Sequence, residues 1–240
     1  MNTIQKFGIV HDFDGTVAET FKPSPSGLGV KEAYENSVEC IFGPSALDYY
    51  KRTGGLQNRA PREVVDSLFN AGFWVGCGQD EATEQLVNRK IDCLLKHAFG
   101  QPLSDGTPWP RLTLGFASYW QWTSARMDTF TVILSSGHEV CIRKTFEMHN
   151  LPQPDLIVTD DEFRRLPEPL CKPDPRLWQY MLAKVDVSFR RTVYIGDDHV
   201  KDGELAKNAG VPFLHFAPKG AEYHGRNGTF DDWGSISLEA

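Results

Sequence analysis

From Thr129 onward, short apolar runs alternate with stretches of helical spacing, and this alternation limits the possible folds more than any other feature of the chain. TFTVILS (129–135) reads as a strand, HEVCIRKTFEMHN (138–150) carries a helix, and DLIVT (155–159) reads as the next strand. DPRLWQYMLAKV (174–185) is a helix, with Asp174 placed to cap it and Pro175 at its first position. TVYIG (192–196) is a strand, VKDGELAKNAG (200–210) a helix closed by Gly210, and PFLHFA (212–217) a last strand. One further strand, FGIVH (7–11), stands near the start of the chain. Its residues are mostly apolar, as they must be in a strand covered on both faces. Such alternation predicts an α/β fold, a Rossmann-like parallel sheet with helices on both faces.

The segment between these strands has a different character. From Lys31 to Met127 the periodicity is helical: KEAYENSVECIF (31–42), SALDYYKR (45–52), PREVVDSLFNA (61–71), DEATEQLVNRKIDCLLKHAF (80–99) and PRLTLGFASYWQW (110–122). The chain enters this region through TFKPSPSGLG (20–29), rich in Pro, Ser and Gly, and leaves it near 124–128. The expected organisation is a core made of 1–19 and 129–240, interrupted by an all-helical insert over 20–128.

Composition removes several classes of partner. A net charge of -7 over 240 residues argues against a nucleic-acid ligand. No apolar stretch approaches the roughly 20 residues of a membrane span, and residues 1–6 offer no charged segment leading into an apolar one. The expectation is a cytoplasmic protein, monomeric or homodimeric, with no membrane or nucleic-acid partner. Five scattered cysteines, without zinc-ligand spacing, read as reduced, buried thiols.

In an open α/β sheet ligands sit beyond the carboxyl ends of the strands, and the polar residues of this chain collect there. The first strand ends at Asp12 and Asp14, the second at Ser135, Ser136 and Gly137, and the fourth at GDDHVKD (196–202). Lys172 lies in the loop CKPDP (171–175). Asp12, Asp197 and Asp202 together repel one another unless a cation sits among them, and Mg²⁺ suits such an oxygen-rich set. With Lys172 as a further positive charge, Asp12 can stay ionised beside a phosphate dianion and attack phosphorus in line. An ionised Asp12 pushes Asp14 toward its protonated form, which is what a leaving alkoxide needs. Gly15 lets the chain turn without blocking the phosphate. The Ser135 hydroxyl, with the backbone N–H groups that follow, can hold the phosphate oxygens.

DFDGT (12–16), Ser135 after an apolar strand, Lys172 in a Lys-Pro-x-Pro context and GDDHVKD (196–202) resemble the four motifs of the haloacid dehalogenase superfamily of phosphohydrolases, in the same order. The helical insert between the first and second motifs resembles that family's C1 cap, of the kind found in phosphoglycolate phosphatase and β-phosphoglucomutase, which closes over the site and selects the substrate. The resemblance implies that Asp12 is nucleophile and Mg²⁺ ligand. It makes Asp14 the general acid and base, with its backbone carbonyl on the metal, and Asp197 the third protein ligand. Asp202 would bind the metal directly or through water, or Asp198 would do so instead. Ser135, its neighbour Ser136 and Lys172 would bind the transferring phosphoryl group. His11 departs from the family pattern, which has an apolar residue there, and reads as a histidine packed on the sheet, facing away from Asp12.

In KRTGGLQNRAPR (51–62), which resembles the loop by which C1 caps reach the core, Arg59 and Arg62 are candidates to clamp a substrate anion. Trp109, Trp120 and Trp122 read as core. The function expected is a Mg²⁺-dependent phosphatase acting on a small phosphorylated metabolite through an aspartyl-phosphate. A phosphomutase of the same fold, or a catalytically silent binding protein, are the alternatives. A dehalogenase would leave Asp14 without a task.

Overall fold

The computed structural model describes residues 5–55, 60–166, 168, 170–219 and 228–236. The chain divides into two compact units, 1–19 with 111–240 and 20–110. In chain order the elements begin with strand β1 (Gln5–His11). Helices α1 (Val30–Phe42), α2 (Pro44–Arg52), α3 (Pro61–Asn70) and α4 (Gln79–His97) make up the second unit. The first unit resumes with α5 (Phe116–Ser124), β2 (Thr129–Ser135), α6 (Glu139–Met148) and β3 (Leu156–Thr159). It continues with α7 (Asp160–Phe163), α8 (Arg176–Ala183), β4 (Ser188–Gly196), α9 (Lys201–Ala209), β5 (Phe213–Phe216) and β6 (Thr229–Phe230), and a 3₁₀ turn at Trp233–Ser235 follows.

Among the described residues, six strands form one parallel sheet in the order β3-β2-β1-β4-β5-β6. Alternate residues of each strand feed two cores. Ile9, Ile133 and Ile195 point to one face, against Phe116 and Trp120 of α5, Ile142 and Phe146 of α6, and Trp233. Val10, Val132, Leu134 and Tyr194 point to the other, against Leu177, Trp178 and Met181 of α8 and Leu205 of α9. Each aliphatic side chain buried this completely contributes about 1.5–3 kcal/mol. The chain moves outward from β1 in one direction to β2 and β3, then crosses to β4 on the other side. The switch point between β1 and β4 therefore opens a crevice at their carboxyl ends, and there Asp12 and Asp197 emerge.

The second unit has its own core, in which Tyr34, Val38, Tyr50, Val65, Leu68 and Leu86 interlock α1 through α4. Two sequence expectations need correction. The last helix of the presumed insert starts at Phe116 rather than Pro110, and it belongs to the first unit, as do all residues from Arg111. Its aromatic side, Phe116, Tyr119 and Trp120, is buried against the sheet core, so the boundary falls at 110/111 and not at 128/129. The five cysteines are free thiols as expected, yet only Cys141 is buried, and Cys40 and Cys171 are exposed.

Several local expectations hold. Asp174 Oδ1 accepts the Arg176 backbone N–H at 2.9 Å at the start of α8. Gly210 closes α9 in the left-handed conformation. Strand β4 begins earlier than the apolar run alone suggests, through a Ser-Phe-Arg-Arg segment in which Phe189 is half-buried and the other three are exposed. Trp109 and Trp120 are buried, whereas Trp122 is 46% exposed, with the Arg126 guanidinium over its ring at 5.1 Å.

Candidate active site

The loop after β1 begins where Asp12 N–H donates to Ile195 O at 2.8 Å, the last rung binding it to β4. The chain then folds back on itself: Val17 N–H and Ala18 N–H both bond to Phe13 O, and Gly15 N–H bonds to Ala18 O. Gly15 takes φ +84°, and a Cβ there would run into the Asp197 carboxylate, so both backbone and space require glycine. Thr16, buried inside this turn, donates its hydroxyl to Asp197 Oδ1 at 3.0 Å and stands 3.4 Å from Asp12 Oδ2. The first motif is thereby tied to the loop after β4.

Asp12, Asp197 and Asp202 each turn a carboxylate oxygen to one place, all within 4.8 Å of one another. Asp12 and Asp202 are buried, at 7% and 1% exposure. Lys172, from the loop before α8, reaches between them, its Nζ 2.5 Å from Asp12 Oδ1 and 2.8 Å from Asp202 Oδ1. Tyr194 donates its hydroxyl to the same Asp202 oxygen at 2.8 Å. Burial pulls the Lys172 ammonium down, but Asp12 and Asp202 more than reverse this and hold it well above the usual lysine range. Burial raises the Asp12 carboxyl; Lys172 opposes the rise, and the neighbouring carboxylates of Asp202, Asp197 and Asp14 add to it. Burial and the charge of Asp202 push Asp197 up to about 7, against the Thr16 hydrogen bond.

One ammonium among three carboxylates, two of them buried and that of Asp197 half-buried, leaves excess negative charge in a small, oxygen-lined space. That donor set fits a hard divalent cation such as Mg²⁺, and a cation there would reverse the upward pressure on Asp12 and Asp197.

The second motif meets the first at Gly137. A Cβ on that glycine would lie 2.8 Å from Asp14 Oδ2 and 3.2 Å from Ser135 Oγ, so the bare glycine leaves room for both. Ser135 is fully buried, and its Oγ accepts the Gly137 N–H at 2.9 Å. Its neighbour Ser136 is exposed. The fold therefore brings Asp12, Asp14, Ser135, Lys172, Asp197 and Asp202 to one end of the sheet. Asp198, left open by the sequence as an alternative to Asp202, is occupied otherwise: its Oδ1 accepts the N–H groups of Val200 and Lys201 at 3.0 and 2.9 Å, opening α9.

The remaining candidates separate in the same way. His11 is fully buried on the face away from the site, Nδ1 3.4 Å from Val132 O and Nε2 3.0 Å from Tyr119 Oη, among Phe116, Trp120 and Trp233. Since a carbonyl only accepts, these partners assign the proton to Nδ1. His138 is also buried, its Nδ1 2.8 Å from Asp161 Oδ1. In the second unit Arg62 binds Asp66 at 2.8 Å and also pairs with Asp80, so its guanidinium is committed within that unit. Arg59 lies outside the described residues.

Reading by motif misses Tyr194 and Thr113. Tyr194 looks like one more apolar strand residue. Thr113 donates its hydroxyl to Thr16 O at 2.6 Å and accepts Trp233 Nε1–H at 2.9 Å, contacts made across 97 and 120 positions that no local pattern announces.

Comparison with known proteins agrees with this layout. Residues 128–216 match the family described as haloacid dehalogenase-like hydrolase. The fold resembles that of a family IA, variant 3 HAD hydrolase from Entamoeba histolytica HM-1:IMSS, with a TM-score of 0.60 at 16% identity, covering 96% of this chain and 95% of that one. It resembles a HAD phosphatase from Thermococcus onnurineus, with a TM-score of 0.56 at 16% identity over 95% and 94%. It also resembles a 2-haloacid dehalogenase from Pseudomonas syringae pv. Tomato DC3000, with a TM-score of 0.52 at 17% identity over 95% and 95%. No curated protein matches the sequence significantly. At such identities the likeness is one of fold, and proteins of this fold differ in chemistry. Residues 128–216 thus match the haloacid dehalogenase-like hydrolase family, and along nearly its whole length the chain shares the fold of the solved HAD hydrolase.

Proposed function

We propose that the protein is a Mg²⁺-dependent phosphatase that hydrolyses a small phosphomonoester through an aspartyl-phosphate on Asp12. The observation that carries this reading is the cluster of Asp12, Asp197 and Asp202, in which Lys172 bridges the buried Asp12 and Asp202. Asp12, Asp197 and Asp202, with the Asp14 backbone carbonyl, are the groups that would hold the ion. When bound, Mg²⁺ supplies the positive charge that lets an anionic nucleophile approach a phosphate dianion.

The chain's own residues supply the rest. An Asp12 carboxylate oxygen attacks phosphorus, and the bond from phosphorus to the ester oxygen breaks as Asp14 gives that oxygen its proton. Asp14, now ionised, takes a proton from water as the water attacks the phosphoryl group on Asp12. Phosphate leaves, and both aspartates return to their starting forms. Lys172 and the Ser135 hydroxyl hold the phosphoryl oxygens throughout. Asp14 also separates this reading from dehalogenation: displacement of halide by a carboxylate needs no proton donor.

The test is hydrolysis of p-nitrophenyl phosphate and a panel of phosphorylated metabolites by the whole chain. Turnover should vanish after EDTA, return with Mg²⁺ or Mn²⁺, and be inhibited by Ca²⁺, whose larger and looser shell disturbs in-line geometry. Full activity in EDTA after exhaustive dialysis, or no release of phosphate from any ester, would overturn the proposal.

A further inference from the structure

Tyr194 lies in β4 two residues before Gly196, and its side chain is fully buried under the carboxylate cluster. It touches both members of one ion pair. Its hydroxyl donates to Asp202 Oδ1 at 2.8 Å, the oxygen that also receives Lys172 Nζ at 2.8 Å, and the same ammonium stands 5.4 Å from the centroid of the Tyr194 ring. On the other side of that carboxylate, Oδ2 accepts, among the described residues, one N–H, that of Asp198, at 3.2 Å.

A carboxylate oxygen has two lone pairs. On Asp202 Oδ1 the tyrosine hydroxyl and the lysine ammonium use both, which leaves Oδ2 as the oxygen with capacity for a cation. The terminal torsion of an aspartate is broad and nearly two-fold, so without a fixed donor the two oxygens can exchange roles. Lys172 alone does not prevent this, because it can follow whichever oxygen is nearer. A phenol rooted in a β-strand and packed against Trp178 cannot follow, so it breaks the symmetry. The ring performs a second task by holding the ammonium over its face, on the side from which Lys172 reaches Asp12.

We infer that Tyr194 is a positioning residue of the site: its hydroxyl fixes which Asp202 oxygen faces the metal, and its ring keeps Lys172 directed at Asp12. For its catalytic consequence the inference rests on the phosphatase reading; for its metal-binding consequence it does not.

Tyr194→Phe keeps the ring and removes only the hydroxyl. The first measurement is Mn²⁺ binding to the metal-free full chain, followed by the electron spin resonance signal of free Mn²⁺, with near-UV circular dichroism to verify the fold. Partners that orient metal ligands commonly govern 10–100-fold in affinity or activity. The expected result is about a tenfold weaker Mn²⁺ affinity, with a comparable fall in kcat on p-nitrophenyl phosphate and little change in KM. Mn²⁺ affinity within twofold of the unmodified protein, in a folded variant, would overturn the inference. If the Phe variant binds Mn²⁺ more weakly but neither protein hydrolyses any phosphate ester, the positioning role stands and the phosphatase reading falls. Should Tyr194→Phe not fold, fluorotyrosine-labelled protein carries the test. The Tyr194 resonance, assigned by Tyr→Phe changes at the other six tyrosines, should shift when Mg²⁺ is added. A resonance unmoved by saturating Mg²⁺ would equally overturn the role.

Discussion

The ammonium of Lys172 lies 2.5 Å from Asp12 Oδ1 and 2.8 Å from Asp202 Oδ1, so one buried cation joins carboxylates from the two ends of the chain. Removing one partner of a buried ion pair leaves charge uncompensated, at a cost of about 3–5 kcal/mol. Lys172→Met should lose about that much stability in EDTA, as read by urea unfolding, and regain part of it with saturating Mg²⁺. A metal-free variant as stable as the unmodified protein would contradict this account.

A second prediction follows from His11. Burial lowers its pKa to about 3, against a value of 6.5 in water, and the weak bond to Val132 O offsets little of that. The unfolded chain takes up a proton below pH 6.5 that the folded chain refuses. This contribution to stability is therefore fully present above pH 6.5, shrinks as pH falls through that value, and is gone below about pH 3. Its full size is at most about 5 kcal/mol, and about 2 kcal/mol of it should vanish between pH 7 and 5. The raised Asp197 works in the opposite sense, so the test is a comparison. His11→Leu should lose about 2 kcal/mol less than the unmodified protein over that interval, measured by urea midpoints at both pH values. Parallel curves would show that His11 already carries its proton in the fold.

How far the sequence reveals this protein depends on the range of the interaction. Asp12, Ser135 and Asp197 stand out because each ends an apolar run, and the pleat of a parallel sheet places strand ends together whatever lies between them. Helix α5 is readable as a helix but not as part of the core, because periodicity shows that Phe116, Tyr119 and Trp120 share a side and not what covers it. Arg62 looks like an available cation until Asp80, from the next helix, arrives beside it. Strand β6 has two residues, too few for any period to register, and the value of Trp233 is visible only once Thr113 lies under its indole.

That contact supports a third prediction. The Thr113 hydroxyl, fully engaged between Trp233 Nε1–H and Thr16 O, lies directly behind the threonine that bonds Asp197. Thr113→Val keeps the shape and leaves a buried donor and acceptor unsatisfied, at about 1–3 kcal/mol. Thr113→Ser should restore most of the loss. Equal stability of the Val and Ser variants in urea would show that the hydroxyl has no part in holding the loop.

A fourth prediction concerns Arg62, whose partners Asp66 and Asp80 are 40% and 92% exposed. Pairs open to solvent contribute little, commonly under about 1 kcal/mol. Arg62→Ala should therefore cost less than that in stability and leave KM for every substrate unchanged, since the guanidinium is committed to its own unit. A KM raised severalfold for one metabolite alone would mean that Arg62 leaves these aspartates to bind it.

The last prediction divides the work of the two aspartates that follow β1. Asp12 sits with the carboxylate cluster against Lys172, while the Asp14 carboxylate lies beside Gly137, so on the proposed mechanism the two would address different atoms of a bound ester. On that mechanism, Asp12→Asn removes the nucleophile and should abolish turnover. Asp14→Asn keeps the shape and loses the proton, an assistance worth about 10² to 10⁴ in rate for a poor leaving group such as an alkoxide. Nitrophenolate leaves without that help. Mixed with p-nitrophenyl phosphate and Mg²⁺, the Asp14 variant should release a burst of nitrophenolate approaching one equivalent per site and then stall, because water attack on the phosphorylated Asp12 lacks its base. The Asp12 variant should give no burst. A burst from the Asp12 variant, or none from a folded Asp14 variant with metal present, would mean that the two roles are assigned to the wrong residues.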